Sequence, residues 1–212
     1  MRPDNRNRDR AEGYNARMSE VSIERVVAGG DGLCRIDGAV CLVPYALPGD
    51  TVEILTPARR SGVLRGAIER VVEPSPDRRS TDCPVFGICG GCTWLHFAYP
   101  AQAEANRSIV ADCFRRIAGR EVDVGWADDP ALRFGYRTRA TYHAKSGRYG
   151  FFESRSHTIA DIESCPLCHP GLNAALERLR RTGAEGEFDV TVNPDGDEVL
   201  VWTRDPIAGL SE

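Results

Sequence analysis

The 212-residue chain has no run of about 18 apolar residues, which excludes a transmembrane helix read from sequence. Its first residues, MRPDNRNRDRAEGYNARM, have charge but no apolar h-region, which excludes a signal peptide there. Their Arg, Asn and Asp content reads as a disordered tail over residues 1–18, with a basic arm touching nucleic acid as the sharper alternative. Without an export signal, the eight cysteines do not read as a disulfide framework, because the cytosol keeps thiols reduced. The expected location is cytoplasmic, with no membrane partner. There is no internal repeat and no thioredoxin-like βαβ pattern around a CxxC pair. None of His96, His143, His157 and His169 has a visible catalytic partner; His169 reads as a surface imidazole ahead of a helix.

What is present is ordinary globular material: 42% hydrophobic and 27% charged residues, net charge −4 and a pI near 5.7. Residues 19–74 carry strand signals. Asp37-Gly38 is a hairpin turn inside 33-LCRIDGAVCLVP-44, and Pro48-Gly49-Asp50 is a turn before the next strand. About five short strands here predict a small closed OB-like barrel, a shape that often binds oligonucleotides. Arg59, Arg60, Arg65 and Arg70 could meet phosphates or simply form a solvated face. Residues 75–82 read as a Pro/Ser/Arg linker. Residues 83–205 read as an α+β domain with an antiparallel sheet and two helices. One helix spans about 101–118 and stops at Gly119, with Ile109, Cys113 and Ile117 on a core face. The second follows Pro170, with Leu172, Leu176 and Leu179 on one face, and stops near Gly183. A hairpin turning at 193-NPDG-196 follows, and residues 206–212 are a tail.

Cys83, Cys89 and Cys92 have the spacing C-x5-C-x2-C, and Cys165 and Cys168 form a distant CPLC. Three close cysteines plus one distant is a common way to hold an iron–sulfur cubane, which needs four thiolates. Glycines between Cys89 and Cys92 would let amides point at sulfur. The rival is tetrahedral zinc on Cys89, Cys92, Cys165 and Cys168, leaving Cys83 spare. Cys34 and Cys41, on barrel strands, read as small buried hydrophobes.

The stretch from Ala131 to Phe152 contains no Asp or Glu but holds Arg133, Arg137, Arg139, Lys145 and Arg148, interleaved with Phe134, Tyr136, Tyr142, Tyr149, Phe151 and Phe152. Rings that stack on unpaired bases, with cations for phosphates, suit RNA; a half-buried sheet with a basic solvated face is the plain alternative. Strand alternation would put Arg137, Arg139 and Thr141 on one side and Tyr136, Thr138 and Ala140 on the other.

Taken together, 31-DGLCRIDGAVCLVPYALPGDTVE-53, 74-PSPDRRSTDCPVFGICGGCTWLHFAYPAQ-102, 134-FGYRTRA-140 and 150-GFFESRSHTIADIESCPL-167 resemble the N-terminal half of the RNA (uracil-5-)-methyltransferases that carry an N-terminal TRAM domain and a [4Fe–4S] cluster. The resemblance covers roughly residues 20–205. It implies that residues 19–74 are a TRAM barrel, that residues 83–205 are an iron–sulfur domain, and that Cys83, Cys89, Cys92 and Cys165 ligate the cluster. Cys168, where the family usually has an apolar residue, becomes a bystander. It also implies an rRNA or tRNA partner met by Arg133, Tyr136, Arg137, Arg139, Lys145 and Arg148, and a monomer. Asn106 and Phe134 depart from the Lys and Trp common at those places. S-adenosylmethionine and the nucleophilic cysteine of this family belong to a C-terminal Rossmann-like domain, for which the 212 residues leave no room. The chain is therefore expected to be inactive alone, with no catalytic residues of its own. It would need a catalytic domain in trans or one lost by truncation. The alternative is a stand-alone RNA-binding iron–sulfur or zinc protein. A radical-SAM enzyme is disfavoured, because its C-x3-C-x2-C motif differs from the five-residue gap between Cys83 and Cys89.

Overall fold

The computed structural model describes residues 18–60, 63–127, 129, 133–193, 195–196 and 198–204, without the side chains of 56–60. Of the tails expected at 1–18 and 206–212, all but Met18, which opens the first strand, lie outside the described residues, as do the side chains of Arg59 and Arg60. The chain divides into two compact units, Met1–Arg78 with Glu104–Glu121, and Arg79–Ala103 with Val122–Glu212.

The first unit is built on six strands: β1 (Met18–Ser22), β2 (Arg25–Val26), β3 (Gly32–Ile36), β4 (Ala39–Val43), β5 (Thr51–Arg60) and β6 (Val63–Glu73). They form one sheet in the order β1-β5-β6-β4-β3-β2. β1 and β2 stand at opposite edges although only two residues separate them in the chain. Three steps of extended chain span no more than about 10 Å, so the sheet has to curl round until its edges meet. The result is a curled half-barrel, with one strand more than the sequence reading. Asp37 and Gly38 both have positive φ (49° and 80°), the type I′ geometry that follows the strand twist. The Asp50 amide donates to the Leu47 carbonyl at 3.0 Å, and Gly49 has φ 83°, a type II turn with Pro48 at its second position. Cys34 and Cys41 sit directly opposite each other, fully buried among Val21, Ile23, Val43, Val52, Ile54 and Leu64.

One charge lies inside this unit. Asp50 is fully buried, accepting from the amides of Leu47 (2.6 Å) and Ser75 (2.8 Å) and from Arg78 on both carboxylate oxygens. Arg78 also donates to the Tyr45 carbonyl. Burial pushes the Asp50 carboxyl up, but Arg78 and the two amides outweigh it and hold it below the usual carboxylate range. The segment read as a linker is thus pinned to the barrel at its start, through Ser75 and Arg78.

The helix α1 (Tyr99–Cys113) continues as a wider π turn over Phe114–Ala118 and ends at Gly119 in the left-handed conformation. Its extent matches the sequence reading; its core face does not. No α1 residue is buried, Cys113 is exposed, and Ile117 is 86% exposed. Helical periodicity shows that an apolar stripe exists, not that anything covers it.

The second unit has β7 (Arg139–Lys145), β8 (Arg148–Phe152), β9 (Ile159–Asp161), α2 (Pro170–Thr182), β10 (Gly186–Val192) and β11 (Val199–Thr203), with the strands in the antiparallel order β11-β10-β7-β8-β9. α2 starts where the His169 ring accepts from the Gly171 amide and stops at Gly183, φ 69°. Leu172, Leu176 and Leu179 pack on Tyr142, Phe188, Val190 and Val192 to form the core, each buried leucine contributing about 1.5–3 kcal/mol. The expected hairpin turn closes by Gly196 donating to the Asn193 carbonyl at 3.0 Å.

Candidate metal centre and nucleic-acid interface

Cys83, Cys89, Cys92 and Cys165 line one recess that is partly open to solvent. Val85, Phe86, Leu95, Phe151, Ile162 and Leu167 supply its apolar walls, and among the described residues no charged side chain lines it. Two separate segments bring the thiols together. The 83–92 loop folds on itself through Phe86 to Cys83 and Cys89 to Val85 backbone bonds. It is zipped to the end of β8 by Gly90 donating to the Phe152 carbonyl (2.9 Å) and Ser154 donating to the Ile88 carbonyl (2.9 Å). The Gly-Gly pair has a steric reason: a Cβ on Gly90 would stand 3.0 Å from the Phe152 carbonyl oxygen, and one on Gly91 would stand 3.3 Å from Cys89 Sγ. The Gly91 amide itself donates to Cys89 Sγ at 3.3 Å.

Cys165 is clamped by Asn173 of α2, which accepts from its amide at 2.9 Å and donates to its carbonyl at 3.1 Å. Sequence reading missed Asn173; its only signal was its place in the first turns of the helix after CPLC. Cys168 is 2% exposed, belongs to the core beneath α2 and is not among the recess lining, although its thiol hydrogen-bonds to that of Cys165.

Burial pushes the Cys89 thiol up and the Cys92 thiol up to about 11. The charges of Cys165 and Cys83 add to both shifts, which shows how closely the four sulfurs are coupled. Cys165 is drawn down to about 6, first by the Cys168 thiol donating to it, then by the amides of Leu167 and Cys168. Among the described residues, no three His, Cys, Asp or Glu side chains converge closely enough to hold a metal ion as they stand. The donors that line the recess are all sulfur, the soft ligand type that suits zinc or an iron–sulfur group.

The basic segment is not one patch. The Arg133 guanidinium lies 4.7 Å from the centre of the Tyr99 ring, and Phe134 and Tyr136 beside it are exposed. Arg137 leaves this surface: β7 begins only at Arg139, and the Arg137 side chain donates to the Gly91 carbonyl at 2.5 Å. Arg139, Thr141, His143 and Lys145 alternate onto the outer sheet face. Arg139 and Lys145 stand about 20 Å apart there, from the strand rise per residue. Lys145 pairs in register with Arg148. His143 stacks on Phe152 (3.7 Å, 14°), and His157 meets the Phe152 edge. Glu187 and Asp189 of β10 answer part of the positive charge. Glu187 is 3.4 Å from His143, and Asp189 accepts from Thr141 at 2.5 Å. Burial holds His143 below the usual imidazole range, against the pull of those two acids. In the first unit, Arg65 and Arg70 pair with Asp31 and Glu53.

No family model matches the chain. It is similar to a 23S rRNA (uracil(1939)-C(5))-methyltransferase of Methylococcus capsulatus, 35% identical over 73% of this chain and 36% of that protein. The corresponding enzyme of Shewanella amazonensis is 29% identical over 89% of this chain and 45% of its own length. An RNA methyltransferase of Caulobacter vibrioides is 36% identical over 77% of this chain and 39% of its length. In structure, the chain is similar to the tRNA (uracil-54, C5)-methyltransferase of Pyrococcus abyssi solved with S-adenosyl-L-homocysteine. The TM-score is 0.60 at 26% identity, covering 86% of this chain and 44% of that one. The chain thus spans less than half the length of these relatives, and over most of its own length it is related to RNA methyltransferases.

Proposed function

We propose that this chain is the RNA-recognition and iron–sulfur part of an S-adenosylmethionine-dependent RNA (uracil-5-)-methyltransferase acting on rRNA or tRNA. The observation that carries this is that Cys83, Cys89, Cys92 and Cys165 line one recess, in a chain similar to such enzymes over about three quarters of its length. In this reading residues 19–74 are the TRAM barrel, and those four cysteines hold a [4Fe–4S] cluster. When bound, the cluster supplies structural cross-links and a redox-capable centre. The protein's own part is to aim four thiolates, shield them behind Phe86, Phe151 and Leu167, and donate the Gly91 amide to Cys89 Sγ.

RNA meets Arg133 and Tyr136 at one end of β7, Arg139 and Lys145 along its outer face, and Arg148 of β8 beside Lys145. Bases stack on the exposed rings and phosphates meet the cations. In this reading these 212 residues bind RNA without transferring methyl groups, which is in keeping with the two largely antiparallel sheets of the described residues. The test is paired. Binding of a fluorescent uridine-containing stem–loop should weaken steeply with salt, while incubation with radiolabelled S-adenosylmethionine should leave that RNA unlabelled. Label in uridine, or no binding at 50 mM salt, would overturn the reading. The second reading is zinc on Cys89, Cys92, Cys165 and Cys168; Cys168 is not among the recess lining, although its thiol donates to Cys165.

A further inference from the structure

We infer that Arg137 is a positioning residue of the cysteine centre, tying its two loops together and facing its thiolates with a positive charge, and is not an RNA contact. This inference rests on the four-cysteine reading above. Arg137 joins the 165–169 loop through its backbone: its amide donates to the Leu167 carbonyl at 2.9 Å, its carbonyl accepts from the His169 amide at 2.8 Å, and it forms a parallel bridge with Cys168. Its side chain crosses to the other loop, where Nη2 donates to the Gly91 carbonyl at 2.5 Å across 46 residues of sequence. Gly91 is the residue whose amide points at Cys89 Sγ. One residue therefore links the 89–92 turn directly to the loop that carries Cys165, in addition to the backbone bonds that join the 83–92 loop to β8.

The charge has a use there as well. Four thiolates around a half-buried space repel one another, and among the described residues no charged side chain lines the recess. The Arg137 guanidinium, held at the Gly91 carbonyl next to Cys92, brings a positive charge to the cysteine loop. A planar fork suits this site better than a lysine, since it can hold a carbonyl while keeping its charge delocalised toward sulfur. Arg139, two residues on, is exposed and has no such bond to the cysteine loops, which makes it the matched comparison.

The experiment uses the full chain, purified anaerobically, as wild type and as Arg137→Met, Arg137→Lys and Arg139→Met. Arg137→Met should release iron to a chelator at least tenfold faster than wild type. It should also shift the reduced-to-oxidised equilibrium at least tenfold toward oxidised, ~59 mV more negative for one electron. Arg137→Lys keeps the charge and loses the fork, so it should restore most of the potential but not the iron retention. Arg139→Met should leave iron and potential unchanged and weaken RNA binding. If Arg137→Met does not fold, the Lys variant decides: iron retention equal to wild type overturns the inference.

Hydrogen exchange on metal-free protein reads the tie without any metal. Peptides over residues 88–92 should exchange faster in Arg137→Met and not in Arg139→Met. A colourless wild type would sink the cluster reading alone; unchanged exchange in Arg137→Met would sink the strap. Wild-type iron, potential and exchange together with weakened RNA binding would return Arg137 to the RNA face.

Discussion

Replacing Arg78 by Met removes the one cation that answers a fully buried carboxylate. Asp50 has no exposed surface, while the Arg78 side chain is 21% exposed, so the variant strands a charge inside the first unit with only the Leu47 and Ser75 amides left. Breaking a buried pair from one side costs about 3–5 kcal/mol, and the partial exposure of Arg78 places this pair near 3. For a domain of this size that is roughly 12–24 °C in midpoint. The pH dependence carries the sign. In wild type the folded carboxyl lies below its unfolded value of about 4, so its contribution is present above that value and fades as pH falls through the folded one. In the variant, burial is answered only by the two amides, which lifts the folded value, and the penalty grows as pH rises past about 4. The midpoint gap between the two proteins, read by circular dichroism, should be full at pH 7 and shrink toward pH 3. Arg70→Met, which breaks the exposed pair with Glu53, should shift little at any pH. A gap below 2 °C at pH 7, or one of equal size at pH 3 and 7, would refute the reasoning.

Serine at Cys83, Cys89, Cys92 or Cys165, one at a time, should cut bound iron severely, while Cys168→Ser keeps it; iron analysis with a visible spectrum of each variant decides, and loss at Cys168 with retention at Cys83 would reverse the ligand set. Changing Arg139, Lys145 and Arg148 together to Gln should lower the slope of log affinity against log salt by about 2 on single-stranded RNA, about 0.7 per phosphate contact; an unchanged slope removes these residues from the interface. Gly150→Ala puts a Cβ 2.2 Å from the Ala160 carbonyl oxygen, a backbone atom that has little freedom to retreat, so the second unit should fail to reach its native near-ultraviolet signal; a native spectrum would show that the β8–β9 pair can spread.

Local signals carried most of the fold. Asp37-Gly38 and Pro48-Gly49-Asp50 named their turns because only certain residues reach those dihedrals. The leucines of α2 named its buried face because burial followed the 3.6-residue period. The readings that failed depended on partners distant in sequence. The apolar positions of α1 have the right spacing, yet whether a stripe is covered depends on what lies beside it, and Cys113 proved exposed. Strand alternation put Arg137 beside Arg139, but the strand starts two residues later, and the Gly91 carbonyl takes the side chain. The Asp50–Arg78 pair, 28 residues apart, left no mark that sequence spacing could show. At the cysteine site the four recess cysteines and the Gly-Gly pair were legible; the recess geometry, the Asn173 clamp and the burial of Cys168 were not.

The central claim is that four cysteines from two distant segments hold one iron–sulfur cluster. Anaerobic purification, with iron and zinc analysis and a visible spectrum on the same sample, tests it most directly. The account predicts a brown protein with broad absorption near ~400 nm and about four irons per chain. A colourless protein carrying one zinc would contradict it.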